Sequence, residues 1–136
     1  MKKKVRIYLS GTKYTEEPDM SWKKQLIEKL GDDNFSYFDP VPGTAKGYEV
    51  IPRDKKEIEK ADYVVAYINR PTFGTIMEIK HAHDLQNVII LVINPNKKYH
   101  KDLWLSYHIH TSFNSVEDCA DFIAETWFAP TDTEEQ

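Results

Sequence analysis

Six residues between positions 54 and 78 stand out, three carboxylates, two threonine hydroxyls and a glycine: Asp54, Asp62, Thr72, Gly74, Thr75 and Glu78. If the chain carries chemistry, this set is where the residue types allow it. Glu78 follows an apolar run (Tyr63 to Tyr67), a turn at Arg70-Pro71 and a Gly74-Thr75 step, so it is predicted to stand in the first turns of a helix after a buried strand. Open α/β sheets hold their ligands in the crevice beyond the carboxyl ends of the strands, and a carboxylate at that position faces it. Spacing alone also permits a plainer reading. Glutamate in a first helical turn is favoured by the helix dipole, and Asp54 and Asp62 suit the solvated ends of elements.

The other reactive side chains offer less. No GxGxxG follows the first strand and no GxxxxGK[ST] occurs, so neither the usual dinucleotide fingerprint nor a P-loop is present. His81 and His83 are two apart on a predicted helix and point about 200° from each other, which prevents joint chelation. His108 and His110 could share a strand face, but nothing fixes a third ligand, so no metal and no cofactor are expected. Cys119 reads as a small core residue of the last helix.

The elements that must position Glu78 follow from periodicity. Val5, Ile7 and Leu9 alternate in a β-rich segment that stops at Ser10-Gly11, placing Tyr8 and Ser10 near the carboxyl end of a first strand. Residues 12–20 are polar and predicted to be a loop. Trp22, Leu26, Ile27 and Leu30 recur at helical spacing behind Ser21, a candidate N-cap, with Gly31 as the stop. Phe35, Tyr37 and Phe38 form a short strand ending at Asp39-Pro40, and the Pro- and Gly-rich residues 40–50 suggest a binding loop or lid. Pro52 is predicted to open the next helix. Val88 to Ile93 reads as a strand buried on both faces, residues 101–107 are ambiguous, residues 108–113 suggest an edge strand, and a last helix is capped by Ser115.

Alternating strands and helices predict a single-domain doubly wound (Rossmann- or flavodoxin-like) sheet of four or five parallel strands with helices on both faces. The domain is expected to span residues 1–128, with a disordered tail at 129–136. A chain of 136 residues can bury roughly two thirds of its unfolded surface, and its 40% apolar and 29% charged composition is that of a soluble domain. A formal charge of −4 argues against a nucleic-acid polymer as partner. The lone cysteine fits a reducing compartment, with the cytoplasm as expectation. The apolar run after Lys2-Lys3-Lys4 is too short for a secretion signal or a membrane span.

An ordered set of pieces adds a resemblance. Tyr8-x-Ser10-Gly11, Asp39-Pro40, Asp54 seven residues before Ala61-Asp62, the apolar strand, then Gly74-x-x-x-Glu78-x-x-x-Ala82 together resemble the nucleoside 2-deoxyribosyltransferase family, over about Lys4 to Pro95. That family includes the 2'-deoxynucleoside 5'-monophosphate N-glycosidases. The resemblance implies Glu78 as a nucleophile that takes the deoxyribosyl group as a covalent ester and passes it to another base or to water. It implies Asp54 as the acid that handles the departing base. It also implies Tyr8, Ser10, Gly11, Thr72, Gly74 and Thr75 around the substrate, a small deoxynucleoside or deoxynucleotide, with no cofactor. Asp62, at the strand entry, is taken as structural. Six residues before the nucleophile, transferases can carry an aspartate where this chain has Thr72, and the monophosphate N-glycosidases are similar in having a small hydroxyl residue there. A hydroxyl at a helix start suits a phosphate, which tilts the expectation towards a nucleotide. The resemblance further implies a homodimer or larger, and a non-catalytic nucleotide-binding protein is the alternative.

Overall fold

The computed structural model describes residues 3–11, 21–40, 46–95 and 99–127. The predicted loop at 12–20, residues 41–45 of the suggested lid, and the expected disordered tail lie outside them. Five parallel strands form one sheet in the order β2-β1-β3-β4-β5. The strands are β1 (Val5–Ser10), β2 (Phe35–Phe38), β3 (Tyr63–Tyr67), β4 (Ile89–Ile93) and β5 (Thr111–Phe113), joined through helices α1 (Ser21–Leu30), α2 (Gly47–Lys60), α3 (Phe73–Leu85) and α4 (Leu103–His108), with α5 (Val116–Thr126) last. The chain reverses direction between β1 and β3, so the carboxyl ends of these two strands flank the switch point where such sheets bind ligands.

Strand parity decides which helix each side chain meets. Val5, Ile7, Leu9, Tyr63, Val65, Tyr67, Leu91 and Ile93 pack with α1 and α5 residues such as Leu26 and Ile123. Tyr8, Val64, Ala66, Ile90 and Val92 point the other way, onto Ile58 of α2 and Ile79 and Ala82 of α3. Each central strand is apolar on both faces because each face is covered by helices. Asp62 ties the entry of β3 to β1: its N–H donates to the Arg6 carbonyl at 2.9 Å, and its Oδ2 accepts from the Arg6 N–H at 2.9 Å. That is a structural role at the end of the sheet away from Glu78.

Three expectations change. Helix α2 begins at Gly47, five residues before Pro52, because Val50 shares a buried stripe with Asp54 and Ile58 at four-residue spacing. Packing of that stripe carries the helix back past the proline, whose missing N–H is normally unfavourable inside a helix. Residues 47–50 are therefore helix and not lid. His108 and His110 do not share a strand: His108 ends α4, and His110 Nδ1 accepts from the Ile90 N–H at 2.9 Å. Residues 103–107 of the ambiguous segment are helical, in a helix started by Asp102, whose side chain accepts from the Leu105 N–H at 2.8 Å. Ser115 caps α5 as expected, accepting from the Asp118 N–H at 3.1 Å. No helix among the described residues is long and apolar enough to cross a membrane.

Candidate active site

Tyr8 and Ser10 are two apart on β1, so their side chains emerge on the same face, the one covered by α2 and α3. Both are fully buried. On α3, Thr75, Ile79 and Ala82 form the stripe that faces the sheet, and Glu78 stands one turn after Thr75 on the edge of that stripe. The two elements meet at the Glu78 carboxylate. Tyr8 Oη donates to Oε2 at 2.6 Å and Ser10 Oγ donates to Oε1 at 2.6 Å. Each oxygen of a carboxylate has two lone-pair directions, so one hydroxyl on each oxygen fixes the plane of the group and leaves acceptor capacity on both. Ala66, the β3 neighbour of Ser10 in the sheet, adds almost no side-chain bulk there.

Asp54 reaches the same face from α2. It is a buried acid in the middle of the stripe formed by Val50 and Ile58, an unusual place for a carboxylate without a partner. Arg53 supplies one: its Nε and Nη2 donate to Asp54 Oδ1 at 3.0 and 2.9 Å. The Arg53 guanidinium lies over the Phe38 ring, 5.5 Å from its centroid, and Phe38 stacks on Tyr8 with centroids 5.6 Å apart. The phenol of Tyr8 is held far above the ordinary tyrosine range, chiefly by burial, then by the Glu78 charge and hydrogen bond and by the Asp54 charge, with Arg53 opposing. Both acids are thus within electrostatic reach of one phenol.

The remaining predicted site residues are placed as follows. Thr72 is the N-cap of α3, its hydroxyl accepting from the Thr75 N–H at 3.5 Å and donating to Thr75 Oγ1 at 3.1 Å. Gly74 is exposed, and a Cβ there would meet nothing within 4 Å. Gly11 has a different reason to be glycine: an added Cβ would lie 2.9 Å from Cζ2 of Trp22, which is itself stacked on Tyr67 at 5.3 Å. The close approach at Gly11 is made by an indole of α1. Asp39, at the carboxyl end of β2, is bonded to the buried Lys23 ammonium of α1. Sequence reasoning missed Arg53 and Phe38, although a cation directly before Asp54 and an aromatic directly before Asp39 were there to be read.

Among the described residues no group of three or more His, Cys, Asp or Glu is arranged to hold a metal ion. A separate groove of about 350 Å³ runs between α3 and α4, lined by apolar side chains including Ile68, Ile76, Met77, Tyr99 and Leu105. Glu78 does not border it.

With this geometry in place, comparison with known proteins places the chain. A family profile described as "Nucleoside 2-deoxyribosyltransferase like" matches residues 4–96. The chain belongs to that family. A 2-deoxyribosyltransferase from Bacillus psychrosaccharolyticus superposes with a TM-score of 0.70 at 22% identity, covering 86% of this chain and 91% of that one. A 2-deoxyribosyltransferase from Leishmania mexicana gives 0.71 at 15% identity, covering 91% and 99%. A CMP N-glycosidase from Clostridium botulinum gives 0.65 at 18% identity, covering 88% and 98%. At these identities the likeness is one of fold. A search of the curated proteins found no significant match.

Proposed function

We propose that this deoxyribosyltransferase-like chain breaks the N-glycosidic bond of 2'-deoxynucleosides or their 5'-monophosphates, with Glu78 as nucleophile. The observation that carries the reading is the Glu78 carboxylate held on both oxygens by the buried Tyr8 and Ser10 hydroxyls at the carboxyl end of β1. In the first step Glu78 forms a bond to the anomeric carbon as the bond from that carbon to the base nitrogen breaks, and the electron pair leaves with the base. Asp54 supplies the proton that makes the base a better leaving group. In the second step water or another base attacks the anomeric carbon, the bond from that carbon to the Glu78 oxygen breaks, and the proton of the attacking group returns to the Asp54 carboxylate. Tyr8 and Ser10 act in this scheme by aiming the nucleophile. Gly74 and Thr75 border the substrate with them, and Gly11 keeps the Trp22 wall in place.

The amino end of α3, with the Thr72 hydroxyl and the open space at Gly74, suits a 5'-phosphate, since helix amino ends favour anions. Deoxynucleoside monophosphates are therefore the preferred substrates. Transfer and hydrolysis are told apart by adding a free base: a new nucleoside marks a transferase, and deoxyribose or its phosphate marks a hydrolase. Chromatography of reactions with a panel of deoxynucleosides and deoxynucleotides tests the reading, and absence of free or transferred base from every one of them would end it.

The chain is also proposed to work as a homodimer or larger assembly. Phe73 is 91% exposed and Trp104 80% exposed, and Met77, Leu103 and Tyr107 are exposed with them on α3 and α4, apolar surface of the kind that partners cover. The buried free thiol of Cys119 is in keeping with a cytoplasmic setting.

A further inference from the structure

Arg53 directly precedes Asp54 in α2, and successive helical residues point about 100° apart. The neighbour of a buried helical residue ordinarily runs out into water, where a flexible cation keeps its hydration and rotamer freedom. Arg53 is exposed enough to do so, with 41% of its side chain accessible, yet its guanidinium turns back onto Asp54 Oδ1 through both Nε and Nη2. The same group lies on Phe38, Phe38 stacks on Tyr8, and Tyr8 holds Glu78. One side chain therefore braces Asp54 directly and, through two rings, the phenol that aims the nucleophile.

We propose that Arg53 is a positioning residue which fixes the aim and the proton occupancy of Asp54, and so sets the pH range over which the base departs. The inference rests on the glycosyl reading of Glu78 and Asp54. The Tyr8 phenol of β1 feels the charges of Asp54 from α2 and of Glu78 from α3, while Phe38 of β2 brings no titratable group. Two acids near one phenol crowd negative charge, and Arg53 is the cation that opposes it. As the bond between the anomeric carbon and the base breaks, the Asp54 proton passes to the base nitrogen. The carboxylate left behind gains its counter-charge from a guanidinium already in contact, with no reorganisation.

Arg53→Met removes the charge and the fork at similar length, and Arg53→Lys keeps the charge alone. Two quantities are measured for each: kcat/KM for base release against pH, and the titration of the Asp54 side-chain carboxyl carbon by NMR in the free protein, with Asp54→Asn for assignment. Arg53→Met is expected to move the alkaline limb of the profile and the Asp54 midpoint upward by about one pH unit or more, with a fall in kcat larger than any rise in KM. Arg53→Lys is expected to move both by less, and carries the test alone should the methionine variant fail to fold. A limb or a midpoint left at its wild-type position overturns the proposal. Failure of the glycosyl reading looks different: the wild type releases no base from any substrate, while the midpoint shift on Arg53→Met still decides whether the arginine governs the Asp54 proton.

Discussion

At the scale of single residues, the site turns on how a carboxylate is held. Tyr8 and Ser10 contribute two hydrogen bonds of 2.6 Å to Glu78, and bonds to a charged group are worth about 1.5–3 kcal/mol each. Under the proposed mechanism Tyr8→Phe should therefore lower kcat by about tenfold to a hundredfold with little change in KM, as steady-state kinetics would measure. The same substitution has a signature in stability. Because burial and the nearby acids raise the Tyr8 phenol above its ordinary value, the folded protein keeps that proton above pH 10 while the unfolded chain gives it up. Stability that is complete below pH 10 is then lost as pH rises, by up to about 1.4 kcal/mol per pH unit for each such group. Tyr37, pushed up to about 12 by burial and the Asp32 charge, and the Cys119 thiol, pushed up to about 12 by burial, act in the same direction. Urea midpoints between pH 8 and 11 should fall steeply in the wild type and less steeply in Tyr8→Phe. Equal slopes would mean that the phenol is not protected by the fold.

At the scale of elements, β1, α2 and α3 bring the site together, and much of that was legible. The alternation of Val5, Ile7 and Leu9 placed Tyr8 and Ser10 near the carboxyl end of β1, and the turn and Gly74-Thr75 step after the apolar run placed Glu78 in the first turns of α3. The start of α2 was hidden, because Pro52 is a strong local signal for a helix start and only tertiary burial of Val50 overrides it. Asp54 was singled out by its residue type and by the resemblance, but its burial in a Val50, Asp54, Ile58 stripe, where an acid needs a partner, was not read. The hydrogen bonds to Glu78 span 68 and 70 residues, and no local pattern encodes contacts of that range. Gly11 shows the same limit: its need for no side chain comes from the indole of Trp22, supplied by a different element. Gly11→Ala should destabilise the fold by about 1–3 kcal/mol through overpacking against that buried ring, read as a lower midpoint in chemical denaturation. An unchanged midpoint would mean that Trp22 moves aside freely.

At the scale of the whole molecule, a doubly wound sheet sets the switch point between β1 and β3, and α3 and α4 expose an apolar surface that includes Phe73, Met77, Leu103, Trp104 and Tyr107. If that surface joins two copies of the chain, Trp104→Glu should convert a dimer to a monomer in sedimentation at micromolar concentration, and a wild type that sediments only as monomer contradicts the assembly. The most direct test of the account is base release from a panel of deoxynucleosides and their 5'-monophosphates by the wild type and by Glu78→Gln, with circular dichroism to verify an intact fold. The account predicts release by the wild type and less than about a thousandth of that rate in the variant, as loss of a nucleophile demands. Comparable release by a folded Glu78→Gln protein would contradict it.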